Sequence, residues 1–191
     1  MNPSTTTVAL GSQSIELPLV RISDELTIAL FMTIDTPIPV LTRACGELAE
    51  VLADLKPEVI ATAATLGIPV AFEVARELGL DEVVVLQKSN KVHLAGSPYV
   101  ELESITTTGA QRLILDRARM HLVDGRRVLF IDDVVSTGSS VAAALRLLRQ
   151  SGADIVGIGA LFSEGVAWRE RLGEDAGLVR GLSPLPFPAG A

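Results

Sequence analysis

Two adjacent carboxylates, Asp132 and Asp133, end an apolar run and are followed closely by small hydroxyl-bearing residues. The run Arg127–Ile131 predicts a buried strand, because it is rich in apolar and β-branched side chains. After Ser136–Ser140 comes Val141–Leu148, which is typical of a helix. A turn of small residues that opens a helix offers free backbone N–H groups and the positive end of the helix dipole. We therefore expect a phosphate cradle beside two carboxylates, which suit sugar hydroxyls or a magnesium ion shared with the ligand.

The alternative interpretation is a serine-rich helix cap after an ordinary strand. Capping accounts for Ser139 or Ser140, because a serine oxygen accepts a hydrogen bond from a free N–H at a helix start. It does not account for two charged side chains at the end of a buried strand, because burying such a pair unpaired is costly. The carboxylates therefore favour chemistry over capping.

The segment VLFIDDVVSTGSS, residues 128–140, resembles the phosphoribosyl pyrophosphate (PRPP) signature of type I phosphoribosyltransferases. The resemblance implies that the acidic pair binds the 2- and 3-hydroxyls of the ribose and meets Mg²⁺ mostly through PRPP and water. It also implies that the turn and helix start hold the 5-phosphate of PRPP. Together, the residues implied to bind PRPP in this segment are Asp132, Asp133, Ser136, Thr137, Gly138, Ser139 and Ser140.

The elements around this segment alternate between strand and helix. Apolar runs at 59–63, 82–87 and 155–162 predict buried strands, and the helical spacing of 40–55 and 69–78 predicts two helices before the signature strand. Such alternation implies a parallel sheet with right-handed crossovers. The predicted fold is α/β: a type I phosphoribosyltransferase-like parallel sheet flanked by helices, with a small N-terminal hood and a flexible loop.

We expect a single domain over residues 1–191, since this length suits one domain with a substantial core. Within it we expect hood strands at about 1–35, an α/β core at 57–168 and an extended, proline-rich tail at 178–191. Alternation in 99–107 and 112–115 predicts a second hairpin.

The turn after the first core strand, Ala63–Gly67, occupies the place of the family's pyrophosphate loop. Many relatives carry an acidic and a basic residue there, whereas this turn has neither. Any grip on pyrophosphate must come from backbone N–H groups, including that of Ala64, and from Thr65. A plain strand-to-helix turn is an equally good interpretation.

Lys88 and Lys91 directly follow the next strand and supply local positive charge in a chain of net charge −7. By resemblance to adenine-type and xanthine-type enzymes, Lys88 is the candidate for pyrophosphate and Lys91 a residue of the closing loop. The alternative is that both are solvated surface lysines.

Tyr99–Glu103 resembles the acidic loop segment of adenine enzymes, in which a glutamate handles the proton of the base. Glu101 is assigned as catalytic with Asp132, Asp133 and Lys88, although Glu103 fits the pattern as well. Hypoxanthine and guanine enzymes usually place an aspartate where this chain has Ser136, so adenine is the first candidate for the base. Phe31 and Ile34 are candidates for lining the hood over it.

The composition indicates which partners to expect. The acidic net charge and the absence of a lysine/arginine run argue against broad nucleic-acid binding. No window approaches the roughly 20 apolar residues of a membrane helix, and the start lacks the pattern of a signal peptide. A single cysteine, Cys45, suits the cytoplasm and a packing role.

The resemblance implies a purine phosphoribosyltransferase of purine salvage that uses Mg²⁺, joins PRPP to a purine base, and forms a homodimer. Two alternatives stay open. One is a xanthine or hypoxanthine enzyme, and the other is a regulator that binds PRPP or a nucleotide without catalysis.

Overall fold

The computed structural model describes residues 4–23, 27–89, 91–102 and 111–185. The ten strands of these ranges are β1 (Thr5–Leu10), β2 (Gln13–Arg21), β3 (Thr27–Ala29), β4 (Val59–Ala63), β5 (Val83–Leu86), β6 (Tyr99–Leu102), β7 (Gln111–Ile114), β8 (Arg127–Val135), β9 (Asp154–Glu164) and β10 (Val179–Leu185). The α-helices are α1 (Ile38–Leu52), α2 (Gly67–Glu77), α3 (Ser139–Gln150) and α4 (Ala167–Leu172).

The main sheet has the strand order β10-β9-β8-β4-β5, and every neighbouring pair in it is parallel. Its central strands are nearly continuous apolar runs because both faces of the sheet are covered. Along β8, Val128 and Phe130 pack on the side of α3, whereas Leu129 and Ile131 pack on the side of α1 and α2. The predicted parallel sheet flanked by helices is confirmed.

The hood is the antiparallel sheet β1-β2-β3. Its tight turn, Gly11–Ser12, is tied to the core by backbone N–H groups. Gly11 N–H donates to the hydroxyl of Ser183 at 2.9 Å, and Ser12 N–H donates to Oε2 of Glu47 at 2.8 Å. The positive φ of 59° at Gly11 suits glycine. The hood is therefore anchored at its turn to both α1 and β10.

The predicted hairpin after β5 is present as the pair β6 and β7. Residues 103–110 between them lie outside the described residues, and the prediction of a flexible loop falls there.

The prediction of an appended tail needs correction for its first residues. Val179–Leu185 form the edge strand of the main sheet, and Leu185 is buried. Proline at position 184 made the segment look unlike a strand, yet an edge strand tolerates a residue without N–H. Residues 186–191 lie outside the described residues.

Within the described ranges, no helix is long and apolar enough to cross a membrane. Cys45 is fully buried in α1 and unpaired, and burial raises the pKa of its thiol to about 12. The predicted packing role of this cysteine is confirmed.

Candidate functional site

A cavity of about 230 Å³ lies at the carboxyl ends of β4 and β8, the edge at which parallel sheets bind ligands. Three segments separated in the sequence form its walls: the turn after β4, the end of β8 with the turn into α3, and the residues after β5. The lining residues are Ala63, Ala64, Thr65, Leu66, Lys88, Asp132, Asp133, Val134, Val135, Ser136, Thr137, Gly138, Ser140 and Val141.

Asp132 and Asp133 form the acidic wall. The side chain of Asp132 is nearly buried, at 9% exposure, and its Oδ1 accepts a hydrogen bond from Asp133 N–H at 3.1 Å. Burial raises the pKa of Asp132 well above its usual range, and the neighbouring charge of Asp133 raises it further. Burial also raises the pKa of Asp133. The positive charge of Lys88 opposes the rise at both carboxyls, but both pKa values remain raised. In the free protein the negative charge of the ionised pair is therefore poorly balanced. A cation, or hydroxyl donors brought by a ligand, would balance it.

The turn before α3 forms the opposite end of the cavity. Gly138 precedes α3 with φ of 78°, a conformation that favours glycine. A β-carbon at this position would also lie 3.1 Å from the Cα of Trp168, so α4 packs closely behind the turn. The N-cap residue Gly138 gives α3 no side-chain cap, and the N–H of Ser139 donates to the hydroxyl of Thr137 at 3.4 Å. The N–H groups of Ser140 and Val141 are then the ones that the first turn offers to a ligand. This arrangement suits a phosphate at the helix start.

The turn Ala64–Leu66 forms the third wall and is held at both ends by hydrogen bonds. Ala64 N–H donates to the carbonyl of Leu86 at 2.9 Å, and the hydroxyl of Thr33 donates to the carbonyl of Leu66 at 2.7 Å. The Ala64–Thr65 peptide bond is cis. No charged side chain is present in the turn, so its polar groups are those of the backbone and the hydroxyl of Thr65. Ala64 lines the cavity, but the N–H group predicted to grip pyrophosphate is bonded to Leu86 instead.

Three predicted site residues lie outside this cavity. Lys91 is exposed, and its Nζ donates to Oε1 of Gln87 at 3.2 Å. Glu101 is exposed and pairs with Arg112 at 3.4 Å, so the structure does not bring this predicted catalytic group to Asp132. Ser139 lines a smaller hollow with Glu101 instead of the main cavity. The alternative Glu103 lies outside the described residues.

A second, mainly apolar cavity of about 310 Å³ lies between the hood and the start of α1. Its lining residues are Ile15, Glu16, Leu17, Pro18, Leu30, Met32, Asp35, Thr36, Pro37 and Val40. Phe31 is not among them: it is 4% exposed and packs edge to face on Phe162, with ring centroids 5.0 Å apart. Ile34 is 61% exposed and does not line this cavity either. The two residues predicted to line the hood therefore have other places in the fold.

The donor set of the main cavity fits magnesium. Mg²⁺ prefers oxygen ligands and keeps several waters, binding through one or two carboxylates plus a phosphorylated substrate. Asp132 and Asp133 supply two carboxylates at one wall. Among the described residues, no group of three or more His, Cys, Asp or Glu side chains could hold a metal. The ion would therefore depend on ligand oxygens for the rest of its coordination.

Sequence reasoning missed Thr33 and the close approach of Gly67 to Asp132. A β-carbon at Gly67 would lie 2.8 Å from Oδ1 of Asp132. Thr33 is 2% exposed and reaches the turn from the hood. The only local signal was a glycine at the start of a helix, which is also common without any such contact.

Comparison with known proteins gives one family and its fold. The family described as "Phosphoribosyl transferase domain" matches residues 36–180. The chain is 37% identical over 142 residues to an adenine phosphoribosyltransferase of Rhodococcus opacus (strain B4), covering 71% of this chain and 77% of that relative. It is 33% identical over 128 residues to the purine biosynthesis transcriptional repressor PurR of Bacillus subtilis (strain 168), covering 66% of this chain and 44% of the repressor. The chain thus spans less than half the length of that repressor.

The crystal structure of adenine phosphoribosyltransferase from Rhodothermus marinus DSM 4252 has a similar fold, with a TM-score of 0.65. The superposition covers 95% of this chain and 94% of that one, at 20% sequence identity. At this identity the likeness concerns the fold alone.

Proposed function

This chain belongs to the phosphoribosyltransferase family, and we propose that it transfers the phosphoribosyl group of PRPP to a purine base. The products are a nucleoside monophosphate and pyrophosphate. The proposal rests on one observation. The side chains of Asp132, Asp133 and Lys88 and the turn before α3 line the same cavity at the carboxyl edge of the sheet.

In this reaction the bond between C1 of the ribose and the pyrophosphate oxygen breaks, and a bond forms between C1 and a ring nitrogen of the purine, which loses its proton. The transition state carries positive charge on the ribosyl centre and growing negative charge on the leaving pyrophosphate. The protein must therefore hold both partners in line, balance these charges and keep water out.

Each wall of the cavity suits one part of PRPP. Asp132 and Asp133 accept hydrogen bonds from the ribose hydroxyls. The 5-phosphate is bound by the residues of the turn before α3 that line the cavity, which are Ser136, Thr137, Gly138 and Ser140. The turn Ala64–Leu66 takes the pyrophosphate through the N–H groups of Thr65 and Leu66 and the Thr65 hydroxyl, because the Ala64 N–H is bonded to the carbonyl of Leu86. Lys88 offsets part of the negative charge that develops on the leaving group.

We propose Mg²⁺ as the cofactor, held by Asp132 and Asp133 together with ligand oxygens. When bound, it supplies positive charge to the pyrophosphate. The need for it follows from the charge balance, because Lys88 is the one cationic side chain among the described residues that line the cavity.

Adenine is the first candidate for the base. The Rhodococcus opacus relative is an adenine phosphoribosyltransferase, and Ser136 stands where hypoxanthine and guanine enzymes usually have an aspartate. The apolar hood cavity is our candidate for the base: Met32 lines it, and the next residue, Thr33, bonds to Leu66 of the main cavity. Glu16 and Asp35 at this cavity suit the exocyclic amine of adenine better than an anionic base.

A direct assay tests the activity. The protein is incubated with PRPP, Mg²⁺ and adenine, hypoxanthine, guanine or xanthine in turn, and the nucleotide product is detected. We expect AMP with adenine. A product only with xanthine or hypoxanthine would keep the reaction and change the base, whereas no product with any of the four would contradict the proposed activity.

A second candidate function is that of a sensor that binds PRPP or a nucleotide and regulates a protein partner. Two observations favour it: the 33% identity to the Bacillus subtilis repressor and the absence of charged side chains from the turn Ala64–Leu66. Calorimetry with Mg²⁺–PRPP, combined with the product assay, separates the two candidates. A sensor binds Mg²⁺–PRPP and forms no product, whereas an enzyme does both. The net charge of −7 disfavours direct binding of nucleic acid.

We further propose a homodimer in the cytoplasm. A buried thiol in a chain with a single cysteine is compatible with a reducing compartment. The apolar side chain of Phe72 is 55% exposed and shares a surface hollow with Val83 and Val85 of the edge strand β5, which offers a surface for a second copy. The oligomeric state is testable by light scattering.

A further inference from the structure

Thr33 is a buried polar residue that connects the hood to the main cavity. It lies in a short 3-10 turn, Thr33–Asp35, directly after the hood strands, and it is 2% exposed. Its hydroxyl donates to the carbonyl oxygen of Leu66 at 2.7 Å, across 33 positions of sequence. A buried hydroxyl needs such a partner, and the half-buried Leu66 supplies it with its carbonyl oxygen. The bond therefore fixes one backbone group of the cavity wall from outside the cavity.

We propose that Thr33 is a positioning residue for pyrophosphate: it holds the turn Ala64–Leu66 in the shape that binds this part of PRPP. This inference rests on the function proposed above. Thr33 itself lines neither the main cavity nor the hood cavity, so its effect reaches the ligand through Leu66.

The turn needs support from outside because it binds with its backbone. It has no charged side chain, and Leu66, which precedes α2, makes no side-chain cap. Within the turn region, Ala64 N–H is fixed by the carbonyl of Leu86, and Ile68 N–H donates to the carbonyl of Thr65 at 3.2 Å. A binding surface made of N–H groups works only when those groups point in fixed directions. Thr33 fixes the next group along, the Leu66 carbonyl.

The Leu66–Gly67 peptide is where this support has its greatest effect. In a trans peptide the carbonyl and the following N–H point in opposite directions, so holding the Leu66 oxygen also sets the direction of Gly67 N–H. Gly67 lies close to the carboxylate of Asp132. A rotation of this peptide would therefore change both the pyrophosphate wall and the surroundings of the ribose-binding carboxylate.

The place of Thr33 also couples the two cavities. Met32, its neighbour in sequence, lines the hood cavity, and Leu66 lines the main cavity. Purine and PRPP must meet in line for transfer. The hydrogen bond joins the segment that lines the hood cavity to the turn that lines the main cavity.

The test compares Thr33→Val with Thr33→Ser by calorimetry, using PRPP, pyrophosphate and ribose 5-phosphate, each with Mg²⁺. Valine keeps the shape of threonine and loses the donor, whereas serine keeps the donor. We expect Thr33→Val to bind PRPP and pyrophosphate about tenfold more weakly, the usual scale of one lost buried hydrogen bond. Binding of ribose 5-phosphate should stay within about twofold, and Thr33→Ser should restore pyrophosphate binding.

Ser151→Ala is the control. The Ser151 hydroxyl is buried and donates to the carbonyl of Leu147 at 2.9 Å, at the C-terminal end of α3, and Ser151 lines neither cavity. We expect its ligand affinities to equal those of the unchanged protein. Should Thr33→Val fail to fold in a thermal melt, Thr33→Cys takes its place, because a thiol is a much weaker donor of similar size.

In a turnover assay, Thr33→Val should raise the KM for PRPP more than it lowers kcat. Equal loss of pyrophosphate and ribose 5-phosphate binding, or no loss of either, would overturn the inference alone. Failure of the unchanged protein to bind PRPP at all would overturn the proposed function, and this inference with it.

Discussion

Gly67 lies directly against the carboxylate of Asp132: a β-carbon at Gly67 would be 2.8 Å from Oδ1 and 3.3 Å from the Cα of Asp132. The first residue of α2 therefore has no room for a side chain, because the hydroxyl of Thr62 in β4, the nearest neighbour, and the acidic end of β8 occupy that space. This close approach places the turn Ala64–Leu66 beside the carboxylate pair, so that both contribute to one cavity.

Gly67→Ala should disrupt the site. The added methyl group must displace the Thr62 side chain, Asp132 or the start of α2, so we expect PRPP binding to fall by at least about tenfold and stability by about 1–3 kcal/mol. The matched control is Gly46→Ala in α1, where an added β-carbon has no neighbour within 4 Å. That substitution should leave binding unchanged and stabilise the protein by about 0.5–1 kcal/mol. Equal effects of the two variants, measured by calorimetry and urea unfolding, would contradict the steric argument.

Asp132→Asn should abolish PRPP binding and, at neutral pH, stabilise the free protein. The pKa of Asp132 is raised by burial and by the charge of Asp133. A carboxyl with a raised folded-state pKa contributes stability below its unfolded pKa and loses that contribution as pH rises through the folded pKa. Removing the charge should therefore raise the free energy of unfolding at pH 7.5 by about 1–2 kcal/mol, the usual scale of a single-site effect.

Asp175→Asn is the control of opposite sign. Two hydrogen bonds from Arg149, at 2.6 and 2.7 Å, lower the pKa of Asp175. Its contribution to stability is present above the unfolded pKa and lost as pH falls through the folded one. Urea unfolding at pH 7.5 and at lower pH should show the gain of Asp132→Asn and the loss of Asp175→Asn both shrinking on acidification. A destabilised Asp132→Asn at pH 7.5 would refute the electrostatic account.

The sequence predicted the parts of the site that are local in the chain. The end of β8, its two carboxylates and the small residues before α3 are consecutive, so strand and helix patterns were enough to place them together. The contacts from Gly67 to Asp132 and from Thr33 to Leu66 join residues far apart in sequence, and no local pattern signals them. From the sequence alone, the apolar side chain of Phe31 fits a ligand site and the core equally well. In the structure it packs on Phe162 and therefore belongs to the core.

Glu101→Gln tests the catalytic role that the sequence suggested for this residue. The carboxylate is exposed, pairs with Arg112 and lies outside the main cavity. An exposed ion pair contributes little to stability, and a group outside the cavity contributes little to the reaction. We expect turnover to stay within about twofold, since a general acid or base typically contributes at least 100-fold. A loss of that larger size in a steady-state assay would show that Glu101 reaches the base during catalysis.

Lys88→Ala should slow turnover more than it weakens binding of the nucleoside monophosphate. Lys88 lines the cavity, and its charge acts on Asp132 and Asp133, so it is placed to balance the negative charge of the leaving pyrophosphate. The monophosphate has no pyrophosphate and loses less when the lysine is removed. We expect kcat to fall by about 10- to 100-fold, at or below the lower end of the roughly 100- to 1,000-fold losses seen when a charge-stabilising group is removed.

Lys91→Ala separates this role from a general effect of positive charge. Lys91 carries the same charge three residues further on, but its Nζ bonds to the side chain of Gln87 outside the cavity. We expect its removal to leave both turnover and monophosphate affinity within about threefold, as for an exposed surface charge. Equal losses of turnover and monophosphate affinity in Lys88→Ala would exclude a pyrophosphate role for Lys88. A loss in Lys91→Ala as large as in Lys88→Ala would instead indicate that Lys91 moves into the cavity when PRPP binds.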